Sequence, residues 1–226
     1  ADGPAGLSCG DTAFPSETII ACTWNTDLTT IYASVIGSEA IEKGADMWLA
    51  PGMNHHRNPL GGRDNEYFSE DPFLSGSFGT AIVKTVQSYG VGVCIKHFIC
   101  NEKEGSKLGS VSLVSERALR ELYLEPFRMT VTNAHPWGVM SSYNILNGVA
   151  VSTNYDLLNN ILREEWGYEG YIAGDWNNNK GIVEEINGGL TLRNPPSFCN
   201  LSTIISAVEK GEINRATLEN GAKAML

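Results

Sequence analysis

Short, wholly apolar runs alternate along the chain with longer stretches whose apolar residues recur every three or four positions. Leu28, Ile31, Tyr32, Val35 and Ile36 follow i, i+3, i+4, i+7, i+8 spacing, which with Asp27 as a cap predicts an amphipathic helix over 27–43, stopped at Gly44. Met47-Trp48-Leu49-Ala50 reads as a short strand closed by Pro51-Gly52. The segment 53–72 is too polar and too rich in Gly, Asn and Pro for regular structure, and a loop of that length in a compact domain usually has a function. Phe78, Ile82, Val86 and Tyr89 mark a second helix ended by Gly90, and Val91-Gly92-Val93-Cys94-Ile95 is an apolar strand leading into Lys96-His97-Phe98.

The pattern then repeats. Residues 115–133 read as a helix (Leu119, Leu122, Tyr123, Phe127) bent at Pro126, followed by a strand from Trp137. A helix with Leu157, Leu158, Ile161 and Leu162, capped by Asn154, leads to the strand Tyr171-Ile172-Ala173-Gly174. Ile182, Val183 and Ile186 suggest a further helix, Leu190-Thr191-Leu192 a weak strand, and 201–209 and 214–226 two closing helices. Strands that are apolar along their length and alternate with helices imply an α/β fold with a parallel sheet covered on both faces. A (β/α)8 barrel and an open doubly wound sheet both satisfy this. Polar residues follow four separate strand ends, which favours a TIM-like barrel over a sheet with a single switch point. Only five or six strands are legible, and a complete barrel usually takes about 250 residues. The expectation is one catalytic-type domain or fragment over 1–226, incomplete at its N-terminal end.

Composition narrows the function. Hydrophobic residues make up 42% of the 226 and charged ones 19%, as in an ordinary soluble α/β domain. The net charge of −10 comes without a basic cluster, so a nucleic-acid partner is not expected and a neutral ligand fits better. No run approaches the ~18 apolar residues of a membrane span, and the start lacks the basic-then-apolar pattern of a signal peptide. The chain opens at Ala1 without Met, as a processed or excised piece would; its compartment is left undecided. Five cysteines without CxxC spacing read as free, mostly buried thiols. Asn200-Leu201-Ser202 fits the glycosylation triplet, a pattern common by chance.

Asp175 is the best candidate nucleophile. A carboxylate at a strand end beside Trp176 can attack an electron-poor carbon while the indole packs a sugar face. A helix cap, with Asn177, Asn178 and Asn179 as loop filler, is the plainer reading. Lys96 and His97 follow a hydrocarbon strand, where they can donate to hydroxyls and keep a carboxylate ionised; a Schiff-base role for Lys96, or mere solvation, stays open. Arg63 offers five donors in a planar fork, or holds its own loop together through Glu66, Glu70 or Asp71. Asp2 can grip two neighbouring hydroxyls or begin a turn. Adjacent His55 and His56 project apart and lack partners at ligand spacing, so no metal is expected. No Walker A, GxGxxG, GxSxG or HExxH pattern is present, and no cofactor is called for.

These residues carry a family resemblance. Asp2-Gly3-Pro4, the run from Arg57 through Arg63-Asp64-Asn65-Glu66 to Pro72, Lys96-His97-Phe98-Ile99-Cys100-Asn101-Glu102, Met140-Ser141-Ser142-Tyr143-Asn144 with Asn147-Gly148, and Gly174-Asp175-Trp176 resemble the motif series of glycoside hydrolase family 3, in order and from end to end. The resemblance implies a TIM-like barrel and a retaining β-glycosidase mechanism. It implies Asp175 as nucleophile, Asp2, Arg63, Lys96, His97 and Tyr143 as hydroxyl ligands or orienters, and Met140 and Trp176 as walls. The loop 101–107 holds no His, so the chain resembles the β-glucosidase and β-xylosidase branch rather than the N-acetylglucosaminidase branch. In that branch the acid/base is a glutamate on a separate α/β sandwich, which implies another domain or chain as partner beside a β-glucoside.

Three departures qualify the resemblance. Lys107 stands where the branch usually has an arginine, replacing a fork with a point charge at a substrate-contact position. The segment 191–195 replaces an Asp-x-x-Met-Pro pattern and loses a carboxylate. The opening segment of the barrel is absent, leaving an exposed sheet edge or an unfinished barrel. Glu102 and Glu104 are the nearest second carboxyls and read as loop supports. Two alternatives remain, a non-catalytic sugar-binding remnant and a lysine-dependent aldolase-like barrel.

Overall fold

The computed structural model describes residues 1–9 and 12–226. Its strands are β1 (Met47–Trp48), β2 (Gly92–Phe98), β3 (Val111–Ser112), β4 (Gly138–Ser141), β5 (Ile145–Leu146), β6 (Val149–Ala150) and β7 (Tyr171–Gly174). A parallel sheet runs in the order β1-β2-β4-β7, with Met47 opposite Gly92, Cys94 opposite Gly138 and Met140 opposite Ala173. Parallel bridges extend it to Asp2 beyond β1 (through Leu49) and to Leu192 beyond β7 (through Ala173). Strand order therefore rises with sequence across the sheet. A doubly wound sheet would reverse at a switch point, so this is the winding of a TIM-like barrel. Its edges at Asp2 and Leu192 are not joined among the described residues, and the barrel is partial.

Strand alternation explains how the layers divide. Val93 and Ile95 point outward into the main core with Ile36, Val83, Val86, Phe127 and Leu158, whereas Cys94, Met140, Tyr171 and Ala173 form a separate inner-face cluster. The outer layer includes the helices Thr26–Glu42 and Pro72–Ser88, and the latter packs against Glu125–Ala134. Their close approach needs two glycines: a Cβ on Gly76 would lie 2.6 Å from Met129 Sδ, and one on Gly79 3.1 Å from Thr130 Oγ1. A small second sheet orders β3-β5-β6 and turns at Asn147-Gly148, both at positive φ, as a tight hairpin requires.

Several sequence expectations change here. Helix 26–42 buries Thr29, Tyr32, Ala33, Ile36, Gly37 and Ala40, while Leu28, Ile31 and Val35 from the expected stripe face solvent. Small residues decide the face: a Cβ on Gly37 would stand 2.8 Å from the Tyr89 ring, so the helix sits too close for larger side chains. Asn25, not Asp27, caps it, accepting from the Asp27 and Leu28 amides. Of the cysteines expected to be mostly buried, only Cys94 and Cys100 are; Cys9, Cys22 and Cys199 are exposed.

The helix around Pro126 shows what its missing N–H does. The turn Leu119–Tyr123 is wound wide, with the Leu124 amide reaching Leu119 O. Pro126 cannot donate to the carbonyl four residues back, Leu122 O. The His55 ring takes that place, with Nε2 2.7 Å from Leu122 O. His56 Nε2 meets the carbonyls of Asp64 and Tyr67. Both histidines thus brace backbone. Asn154 and Asn200 serve as helix caps, accepting from the Leu157 and Thr203 amides.

Candidate functional site

The C-terminal ends of the sheet bring together most of the residues singled out above. Lys96 points to the inner face, and its Nζ meets Asp2 Oδ1 at 2.5 Å. Asp2 also accepts from the Gly3 amide, so it both begins a turn and faces the cleft. The ammonium and the Gly3 amide hold its carboxyl below the usual range against the opposing effect of partial burial. A Schiff-base lysine needs its nitrogen lone pair free; this one is engaged by a carboxylate.

His97 is fully enclosed. Its backbone amide donates to Asn54 Oδ1 and its carbonyl accepts from Asn54 Nδ2, a two-point clamp on the strand end. Nε2 stands 3.7 Å from Asp175 Oδ2 and Nδ1 3.4 Å from the Tyr67 hydroxyl. Burial drives the imidazole pKa well below its ordinary value, with Arg63, Lys96 and Lys107 adding repulsion, so the ring is neutral at neutral pH.

Asp175 follows β7 directly. Oδ1 accepts from the Trp176 amide at 2.6 Å, while Oδ2 is buried and has no hydrogen-bond donor among the described residues. Burial raises the carboxyl pKa, opposed by that amide, the Tyr143 hydroxyl, Arg63 and Lys96. The helix after it begins only at Ile182, so Asp175 is not its cap. Tyr143 is buried, its hydroxyl donating to the Trp176 carbonyl at 2.6 Å while standing near enough to Asp175 to act on its charge. Met140 lies on the inner face in register with Ala173, and Trp176 is half exposed beside the carboxylate.

Arg63 and Lys107 approach from the loops. Arg63 makes a bidentate pair with Glu66 at 2.9 and 2.6 Å, as the plainer reading had it, and also lies 3.9 Å from Glu104. Lys107 pairs with Glu104 at 2.5 Å and lies 4.6 Å from the centroid of the Tyr143 ring. Glu104 is thereby tied between two cations. Burial pushes the Glu102 carboxyl up to about 7. It lines a different cavity, of about 510 Å³, with Arg57, Cys100, Lys103 and Tyr123.

Sequence reasoning missed Glu17, Asn54, Tyr67 and Asn178. Glu17 is wholly buried and both carboxylate oxygens accept from the Gly52 amide, at 3.2 and 3.1 Å. In sequence it is an acid in a helical first turn, which normally signals only the macrodipole. Asn178, taken for loop filler, is buried and donates to the Ser142 carbonyl.

A parallel (β/α) barrel with its ionisable and aromatic groups gathered at the C-terminal strand ends is the class of protein that the fold defines. The comparisons give the family. A model of the Glycosyl hydrolase family 3 N terminal domain matches residues 2–226, and the chain belongs to that family. It is 40% identical over all its length to an exo-alpha-(1->6)-L-arabinopyranosidase of Bifidobacterium breve, covering 32% of that protein. Against beta-glucosidase A of Butyrivibrio fibrisolvens the identity is 40%, over 96% of the chain and 27% of the relative. Among solved structures, beta-glucosidase 3B of Thermotoga neapolitana in complex with glucose superposes with a TM-score of 0.94 at 43% identity, over 100% of this chain and 34% of that one. The chain thus spans about a third of the length of these relatives.

Proposed function

We propose that this chain supplies the nucleophile-bearing barrel of a retaining glycoside hydrolase acting on terminal β-D-glucosides or related β-glycosides. The observation that carries the reading is the Asp175 carboxylate. One oxygen is anchored by the Trp176 amide, and the other is buried without a donor and faces neutral His97 across 3.7 Å. An oxygen held in place but not occupied by a hydrogen bond keeps its lone pairs for an anomeric carbon.

In this mechanism Oδ2 forms a covalent bond to the anomeric carbon as the glycosidic oxygen departs with a proton from an acid. Water, deprotonated by the same group, then releases the sugar. Arg63 and Lys96 stabilise the carboxylate form of Asp175 against its desolvation. Asp2, Lys96, Arg63, His97 and Tyr143 hold the sugar hydroxyls, Lys107 contacts the substrate from its loop, and Met140 and Trp176 form walls. A retaining pair of carboxyls lies about 5–5.5 Å apart. Glu104 is engaged by Arg63 and Lys107, and Glu102 faces another cavity, so the acid comes from outside these residues. A relative named beta-glucosidase A supports the β-glucoside reading, while one named exo-alpha-(1->6)-L-arabinopyranosidase is a similar protein named for a different sugar.

The test is peptide mass spectrometry after incubation with a fluorinated glucoside bearing a very good leaving group, which needs a nucleophile but little acid assistance. A sugar-sized mass gain on Asp175 is expected. A folded protein that gains no mass would refute the covalent mechanism and favour a non-catalytic sugar-binding module.

A further inference from the structure

The segment after the candidate nucleophile is secured by a second strap. Gly174 N donates to Leu192 O, Asn177 N to Asn194 O and Asn194 Nδ2 to Gly174 O. The residues before and after Asp175 are therefore bonded to 192–194. Between those anchors lies Arg193, buried at 6% exposure, on the segment that lacks the carboxylate of the family pattern.

Arg193 Nε meets Glu185 Oε2 at 2.5 Å, and Glu185 is fully buried. The other Glu185 oxygen accepts from the Lys180 amide at 2.8 Å, while a second arm of the guanidinium donates to Asn179 Oδ1 at 2.6 Å. Lys180 Nζ in turn reaches Leu108 O at 2.8 Å, next to Lys107. One buried ion pair thus grips the loop 176–181 at two points, and that loop bridges to the turn carrying a candidate sugar contact. Through these bonds Arg193 acts on the geometry of the loop.

We infer that the Arg193–Glu185 pair is a positioning device for the nucleophile loop: it fixes Trp176 and the Asp175 backbone through Asn179 and Lys180. The inference rests on the hydrolase reading for its catalytic consequence, but its geometric content stands alone. A point charge in place of the fork keeps the pair with Glu185 and loses the second arm. Replacing both partners by apolar residues of similar volume removes the clamp and takes out both charges of the pair together.

The experiment compares wild type, Arg193→Lys and the double variant Glu185→Met/Arg193→Met in the intact protein, by hydrogen exchange of the 176–181 amides, melting temperature and labelling rate with the activated fluoroglucoside. In both variants the loop amides should exchange about tenfold faster, with melting close to wild type. Labelling should slow by about tenfold or more, because small misplacements of a nucleophile are costly. Unchanged loop exchange in Arg193→Lys would overturn the inference, as would unchanged labelling in a double variant with a loosened loop. A wild type that labels nowhere would sink the hydrolase reading instead, and exchange would still decide the clamp.

Discussion

The Lys96 ammonium lies 2.5 Å from the Asp2 carboxylate, joining residues 94 positions apart, and the two ends of the pair are unequally buried. The lysine side chain is 3% exposed and the aspartate 59%. Removing Asp2 leaves a nearly buried charge without its partner, whereas removing Lys96 leaves a carboxylate in water. Asp2→Asn should therefore destabilise by about 1–2 kcal/mol and Lys96→Met by less than about 1 kcal/mol. Urea unfolding of both variants checks the order; the reverse order would refute the asymmetry.

Asp175→Asn separates chemistry from stability. Loss of the nucleophile should lower turnover by about a thousandfold or more. Burial raises the folded pKa of this carboxyl above its ordinary 3.8, so its contribution to stability is full below that value and is lost as pH rises through the folded pKa. The variant should melt higher than wild type at pH 7, and the difference should vanish at pH values below the ordinary pKa. Calorimetry at both pH values reads the crossover. A variant that melts lower at neutral pH would contradict this account.

Glu17 makes a similar prediction away from the chemistry. Its pKa is driven well above the ordinary 4.5 by complete burial, opposed by the Gly52 amide and Lys96. Below that value its stabilising contribution is complete, and it fades as pH rises through the folded pKa. Glu17→Gln keeps an acceptor for Gly52 but does not titrate, so its advantage over wild type should grow above pH 4.5 by up to about 1.4 kcal/mol per pH unit within the window. Glu17→Ala, which strands the amide, should cost about 1–3 kcal/mol. Parallel pH profiles for wild type and Glu17→Gln would show that the carboxyl is not perturbed.

His55 and Pro126 should be energetically coupled. His55→Ala leaves Leu122 O without its ring partner and should cost about 1–3 kcal/mol. Pro126→Ala restores an N–H able to reach that carbonyl, so the histidine should matter less in its presence. A double-mutant cycle with a coupling energy of about 0.5 kcal/mol or more is expected. Additive effects would mean that the ring does not substitute for the missing helical bond.

The alternation of apolar runs with 3.6-period stretches was enough to place the strands and helices of the parallel sheet, because strand and helix periodicities are local, but not the two-residue strands β3, β5 and β6 or the short helix Glu17–Ala21, which are too brief to show a period. It also put Asp175 at a strand end and Lys96-His97 on another, with the irregular segment 53–72 delivering Arg63. What only tertiary structure decided were the contacts between distant segments. Helix 26–42 turns Ala33, Gly37 and Ala40 inward and leaves Ile31 in water because backbone proximity, not hydrophobicity, set its face. Glu17 beneath Gly52, Asn54 on the His97 backbone and Arg193 on Glu185 meet partners with which they share no local periodicity. A side chain's type says what bonds it can make; which bond it makes depends on where packing brings the other end of the chain.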